Sequence, residues 1–432
     1  MNTWVFEDLY RDGHWQGPCR VSVDAQGCIQ SLSPADSADI DTPGWVIPGF
    51  INGHSHSFQY AFAGQAETLG STQADNFWRW REYMYQCVLT LTPEDLYTIT
   101  LQLYQELLRH GFTHVVEFHY CHHDPAGKPY TNRALLAEQI MQAATTAGIA
   151  LTLIPIFYQQ NQFTEAPLPE QRRFICRDLA DYQTLVAAIQ SSAKHYDRVQ
   201  VGVGFHSLRA VHPDILPAFF REMAAIPIHG HIAETQQEVT ACQQRLGTTP
   251  VDWLLAHCDI GDFCNLVHAT HISTDECRAM VEASVNVVLC PSTEANLGDG
   301  FFPLQAYHQA GGQWCIGTDS HIGIAPLEEL RWLEYGQRLL HQRRNILCDS
   351  AAAQSGDLLY HAAGRGGLTA IGQAQQSDFA LGSYFDAVIL NANAPRLKGQ
   401  PPENRLSCAI FTGSPELIRA TITAGQWRYS SV

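Results

Sequence analysis

Two kinds of hydrophobic pattern divide the chain. At its start, short apolar runs alternate with turn formers. Residues 4–6, 19–23 and 28–32 are strand candidates, and Asp24-Ala25-Gln26-Gly27 turns the chain between the last two. The end has the same texture, with strand candidates at residues 385–390 and 418–425 among Pro- and Gly-rich loops. Neither tail can bury a core alone, which predicts that residues 1–47 and 377–432 pair as one small β-sandwich.

Between the tails, β-branched apolar runs alternate with helical periods. Eight runs read as strands: residues 45–52, 112–119, 149–157, 199–206, 226–231, 265–271, 285–291 and 313–319. One of the intervening helices is marked at both ends. Thr92 supplies an N-cap, Pro93 the first helical position, and Glu94 and Asp95 early acids; Leu96, Ile99, Leu103 and Leu107 then share one face until Gly111. Buried strands joined by helices make parallel βαβ units. Eight of them predict the α/β class and a distorted (β/α)8 TIM barrel over residues 48–376.

Composition narrows what such a barrel can bind. The 432 residues carry 26 Lys+Arg against 43 Asp+Glu, a formal charge of −17. The lysines are Lys128, Lys194 and Lys398 alone. Phosphate backbones and anionic membranes need clustered basic residues, so neither nucleic acid nor a membrane is an expected partner. The first residues lack the basic-then-apolar pattern of a signal peptide, and no apolar run approaches the roughly 18 residues that span a bilayer. Thirteen cysteines, without a C-x-x-C pair, read as reduced thiols and predict a cytoplasmic location.

Candidate chemistry sits at the predicted C-terminal strand ends, where barrels of this kind carry active sites. The first strand runs into Asn52-Gly53-His54-Ser55-His56. A period of two sends both imidazoles to one side, as two ligands of one metal require. The fifth strand adds His231 and Glu234, the sixth His268, and the eighth Gly317-Thr318-Asp319-Ser320. His54, His56, His231 and Asp319 thus compose a four-ligand site for a divalent ion. Imidazole plus carboxylate suits zinc, and iron or manganese also accept these ligand types.

These motifs resemble those of the amidohydrolase superfamily of metal-dependent hydrolases and deaminases. They are P-G-F-x-N-x-H-x-H, the H-x-x-E of the fifth strand, the sixth-strand histidine and G-T-D-S. The resemblance spans the chain and implies the same four ligands. It also implies a single ion, Zn2+, because the fourth strand ends in Gly204-Phe205-His206 without the bridging Lys or Glu of dinuclear members. In the implied reaction, hydroxide formed at the ion attacks a C=N carbon. Glu234 protonates the imine nitrogen, Asp319 carries the water's proton, and His268 aligns the hydroxide or steadies developing charge.

Residues 54–59, 77–85, 117–123, 205–210, 292–300 and 328–336 narrow the resemblance to the branch that removes an N-formimino group from a dicarboxylate. This implies a small-molecule dicarboxylate substrate lined by Gln59, Arg81, Tyr120, His206 and Arg209, and a homodimer. Arginine forks suit carboxylates despite the net charge, and Arg79 competes with Arg81 for its role. A ring deaminase of the purine type shares every metal residue but needs aromatic walls where a dicarboxylate needs arginines. A non-catalytic scaffold would have lost ligands, and none is missing. His122 and His123 read as loop features, and Ser292-Thr293-Glu294 as pocket wall or structural hydrogen bonding. His321 reads as support for Asp319 or plain core, and His229 as support for His231.

Overall fold

Two sheets, one from both ends of the chain and one from its middle, meet at Gly49. The computed structural model describes residues 2–67, 77–163, 165–223, 226–348, 354–373 and 377–431, without the side chains of residues 77–79 and 415. The terminal sheet begins with β1 (Asn2–Arg11), β2 (His14–Trp15), β3 (Cys19–Val23), β4 (Ile29–Pro34) and β5 (Thr42–Pro48). The barrel follows as β6 (Phe50–Ser55), β7 (Phe112–His119), β8 (Ala150–Phe157), β9 (Val199–Val201) and β10 (Val203–Ser207). It continues as β11 (Ile228–Ile232), β12 (Cys264–His268), β13 (Asn286–Leu289) and β14 (Gln313–Ile316). The chain then returns to the terminal sheet as β15 (Ala387–Leu390), β16 (Ile418–Thr423) and β17 (Gln426–Ser430).

The terminal sheet has the order β17-β16-β15-β5-β1-β3-β4, with β2 paired on β1. It folds back on itself: Phe385 donates its amide to the Gly27 carbonyl in the β3–β4 turn, and Ile29 donates to Ser383. Phe6, Val21, Val23, Phe385 and Ile422 fill the space between the halves, as a sandwich requires. β5 and β15 serve two cores at once. Val46 and Ile389 face the terminal core, whereas Trp45, Ile47, Val388 and Leu390 belong to the barrel core. A period of two with both faces apolar produces these uninterrupted hydrophobic runs.

The barrel strands lie parallel in the order β6-β7-β8-β10-β11-β12-β13-β14, with β9 extending the fourth stave against β8. Closure comes just past β14, where the amides of Thr318 and Asp319 both donate to the His54 carbonyl. The helix Pro93–Arg109 follows its sequence signals. Thr92 accepts the Asp95 amide, Leu96, Leu103 and Leu107 are buried, and the chain leaves through Gly111 at φ +95°.

Two strand assignments are corrected. Residues 45–52 divide at Gly49, with β5 in the terminal sheet and β6 in the barrel. The apolar pattern runs through the break because both pieces are buried on both faces. Residues 199–206 divide at Gly202, where a Cβ would stand 2.5 Å from Ile154 Cδ1. All thirteen cysteines are free thiols. No described helix is long and apolar enough to cross a membrane.

Candidate active site

The ends of β6, β11 and β14 bring four donor atoms together. His54 Nε2 lies 3.1 Å from His56 Nε2 and 3.0 Å from His231 Nε2. Asp319 Oδ1 stands 3.4 Å from His54 Nε2 and 3.2 Å from His56 Nε2. His56 Nδ1–H donates to the Phe118 carbonyl and His231 Nδ1–H to the His206 carbonyl, each at 3.0 Å. The other nitrogen of each ring therefore turns a lone pair toward the shared centre. Burial, aided by neighbouring imidazoles, lowers His54 to about 3 and His231 well below its ordinary value, so both rings stay neutral. Burial opposes the Asp319 charge, but His54 and His56 outweigh it and hold this carboxyl well below its usual range. Ligands at about 2.0–2.1 Å around a tetrahedral ion are roughly 3.3 Å apart. The donor set fits a divalent metal ion.

At these strand ends, residues other than glycine take the left-handed conformation: Ala233 (φ +48°), His268 (+69°), Ala269 (+48°), Asp319 (+46°) and His321 (+62°). Such backbone is costly and persists where its surroundings enforce it. Here Ala269 donates its amide to Ile232, His271 to Ala233 and His321 to Thr318. The His321 ring spans the seam, with Nδ1 2.9 Å from Thr318 Oγ1 and Nε2 3.2 Å from Ser55 Oγ. It supports the Asp319 turn.

Glu234 follows β11 and faces the same space. His268 Nε2 is 3.5 Å from Glu234 Oε1 and 3.7 Å from Asp319 Oδ2. On its other side, His268 Nδ1 meets Glu294 Oε1 at 3.2 Å. Burial disfavours a charged His268, but Glu234, Glu294 and Asp319 outweigh it and raise its pKa. Burial also pushes Glu234 above the usual carboxyl range, with His268 opposing. A carboxyl that retains its proton beside an ionised one is suited to proton transfer.

The donor set opens into a cavity lined by Gln59, Arg81, Tyr120, His206 and Arg209, the five residues expected around a dicarboxylate. Gln59 Nε2 donates to Tyr120 Oη at 3.0 Å. Arg81 comes from the helix Phe77–Thr90 and Arg209 from the turn after β10; they are 9% and 2% exposed. Burial and the nearby Arg209 charge both lower Arg81, so two like charges are held close together. Tyr158, Phe174 and Leu297 also line the cavity and were not among the sequence candidates. Tyr158 had a signal, since it directly follows β8, and Leu297 lies within residues 292–300, which carry part of the resemblance; Phe174 stands outside any strand pattern. The Arg79 side chain lies outside the described residues.

Other sequence candidates resolve into structural parts. His122 and His123 donate through Nε2 to the carbonyls of Ile156 and Ile175. Ser292 N donates to Glu329, Thr293 Oγ1 meets Ser320 Oγ, and Glu294 holds His268, which is the hydrogen-bonding alternative. The expectation for His229 is corrected: its Nε2 donates to the Ala370 carbonyl, anchoring the helix Ser355–Ala370 instead of His231. Two residues along a strand is a step of nearly 7 Å, enough to put His229 below the ligands. Glu117 on β7 had no role assigned from the sequence beyond its place in residues 117–123; it accepts Ser55 Oγ and the Ser57 amide at 2.6 Å each, bracketing His56.

Comparison with known proteins agrees with this geometry. A model of the amidohydrolase family matches residues 45–428. The chain is 41% identical over 419 residues to formimidoylglutamate deiminase of Pseudomonas aeruginosa, covering 96% of this chain and 91% of that protein. It is 26% identical to 8-oxoguanine deaminase of the same organism, over 89% and 82% of the two chains. A crystal structure of an amidohydrolase from Brucella melitensis superposes with a TM-score of 0.92 at 38% identity, covering 99% and 94%. An adenosine deaminase from Xanthomonas campestris with bound zinc shares the fold at a TM-score of 0.79 and 19% identity, covering 98% and 92%. The chain belongs to the amidohydrolase family. It is a metal-dependent hydrolase acting on C–N bonds.

Proposed function

We propose that this enzyme hydrolyses the formimino group of N-formimino-L-glutamate, giving N-formyl-L-glutamate and ammonia in histidine degradation, with one zinc ion per chain. The observation that carries the substrate is the pair of buried guanidiniums, Arg81 and Arg209, in the cavity onto which the metal donors open. Two buried like charges are costly, and a dianionic ligand offsets that cost with bidentate hydrogen bonds. The 41% identity to a formimidoylglutamate deiminase supports the same reading.

His54, His56, His231 and Asp319 hold the ion. When bound, a zinc ion lowers the pKa of water to about 7 and so supplies hydroxide at neutral pH. Arg209 and Arg81 bind the substrate carboxylates, and Gln59, Tyr120 and His206 orient the chain between them and the formimino carbon. Glu234 gives a proton to the imine nitrogen, which makes that carbon more electrophilic. Asp319 takes one proton of the attacking water and delivers it to the departing nitrogen, and the remaining hydroxyl proton on the attacked carbon returns to Glu234 as the C=O forms and ammonia leaves. His268, held by Glu294, stabilises the developing charge.

The aromatic lining, with Tyr85, Tyr158 and Phe174, favours a ring deaminase as the second reading. A neutral ring has no carboxylates to engage the two guanidinium forks, so it ranks below the dicarboxylate. Ammonia release from formiminoglutamate, guanine and adenosine by the zinc-loaded enzyme decides between them. Turnover of the first is expected, and turnover of a purine alone overturns the reading.

The same proposal includes a homodimer, a cytoplasmic location, and a catalytic unit of residues 48–376 beside a unit of residues 1–47 and 377–432. In support, the helix Pro326–His341 exposes Trp332, Leu339 and Leu340. The free thiols suit a reducing compartment, and the two sheets part at Gly49.

A further inference from the structure

Behind Glu234 lies a carboxylate that the reaction leaves unused. Glu238 stands in the first turn of the helix Gln236–Leu246 and is 2% exposed. A glutamate at this position commonly folds back onto the N-cap amide to complete a capping box. Thr235 does cap the helix, its Oγ1 accepting the Glu238 amide at 3.2 Å. The Glu238 carboxylate goes elsewhere. Its Oε2 accepts the amide of Glu234 at 3.2 Å, directly after the left-handed Ala233.

The second neighbour of Glu238 is electrostatic. Burial disfavours the Arg209 charge, and the group that most strongly opposes burial is Glu238, ahead of Glu234. Burial likewise raises Glu238, and Arg209 is the strongest influence pulling it back. A buried guanidinium needs an anion nearby whether or not substrate is present.

We propose that Glu238 is a positioning residue of this site: its one carboxylate fixes the backbone of the proton-handling Glu234 and serves as the resident counter-charge of Arg209. The proposal rests on the dicarboxylate reading. Glu238 makes and breaks no bond in the reaction; it acts through its two neighbours. Its clamp on Glu234 sustains the chemical step. Its charge repels an arriving or departing carboxylate, which limits how tightly the Arg209 end holds either substrate or product.

Glu238→Gln separates the two effects, because the amide oxygen still accepts the Glu234 N–H while the charge is gone. Glutarate, a dicarboxylate without a formimino group, is titrated calorimetrically into zinc-loaded wild type and E238Q. Its Kd is expected to fall by about 3- to 30-fold, the scale of one like charge removed at a partly screened distance. Glu238→Ala also loses the clamp, and its kcat on formiminoglutamate is expected at least about tenfold below that of E238Q, at equal zinc content. A purely capping role moves stability and leaves both readouts alone. Unchanged glutarate affinity in E238Q, or equal kcat in the two variants, overturns the proposal. Should E238A fail to fold, the glutarate titration on E238Q decides alone. A wild type that does not turn over formiminoglutamate overturns the substrate reading instead, and is told apart because the titration does not depend on turnover.

Discussion

His54 and Asp319 meet twice: the Asp319 amide donates to the His54 carbonyl at 3.0 Å, and His54 Nε2 lies 3.4 Å from Asp319 Oδ1. The first and last barrel strands are thus joined by backbone at the point where their side chains could share a metal. The residues that could hold the ion are therefore the ones at which the barrel closes.

Metal should therefore stabilise the fold as well as permit turnover. Ligand at 100 times its Kd contributes about 2.7 kcal/mol, so chelation should lower Tm measurably and added zinc should restore it. His231→Ala removes one of the four donors and is expected to lose bound metal, activity and the zinc-dependent rise in Tm. Elemental analysis and calorimetry check this; wild-type metal content in the variant would remove His231 from the set.

Glu234→Gln should retain the metal and lose most turnover, since an amide cannot give the imine nitrogen its proton. General acid–base groups contribute on the order of 10²–10⁴-fold, and a fall in kcat of that size is expected. Activity within a few-fold of wild type would pass the proton role to His268, whose Nε2 lies 3.5 Å from the Glu234 carboxylate.

Arg209→Met should lower kcat/KM for formiminoglutamate by roughly 10–10³-fold at unchanged metal content, with the loss mostly in KM. An alkyl formamidine without carboxylates should lose far less, because the variant removes recognition and leaves hydroxide formation intact. Equal losses on both substrates would give Arg209 a structural role.

Stability should fall on the acid side. Burial lowers His114 and His119 from 6.5 to about 3. As pH falls below about 6.5 the unfolded chain takes up these protons, while the folded chain does not until about 3. The stabilisation is complete above about 6.5 and is lost progressively through that window. His114 Nε2 lies 2.8 Å from Thr152 Oγ1, a contact that Gln can imitate. His114→Gln should flatten the decline of Tm between about pH 7 and about pH 4.5. An unchanged slope would assign the acid sensitivity to other groups.

The metal donors were legible because a strand's period of two and the position of strand ends follow from local pattern alone. The hydrophobic alternation likewise revealed eight staves, but not that residues 45–52 belong to two sheets. A run buried on both faces looks the same whichever sheet pairs with it. The roles of Glu117 and Glu238 were hidden for the opposite reason: a single acid on a strand or helix reads as a solvated position until tertiary neighbours bury it. His229 shows the limit of the period itself, which specifies a face and says nothing of depth along it. Phe174 and Leu297 reach the cavity from segments whose course depends on the assembled barrel.

Val46 of β5 pairs with Ile389 of β15, and the two side chains sit in the same terminal core. Roughly 340 residues separate them, and chains are synthesised at about 5–20 residues per second. For about 17–70 s on the ribosome, the strand that leads into the first metal ligands must wait with one edge unpaired and its apolar faces incompletely covered. Contacts this distant in sequence form late, so the enzyme's vulnerable period is its own birth. A chain stalled before residue 387 leaves that edge of β5 open, the kind of edge that pairs with other chains, even though every candidate metal ligand has already been made.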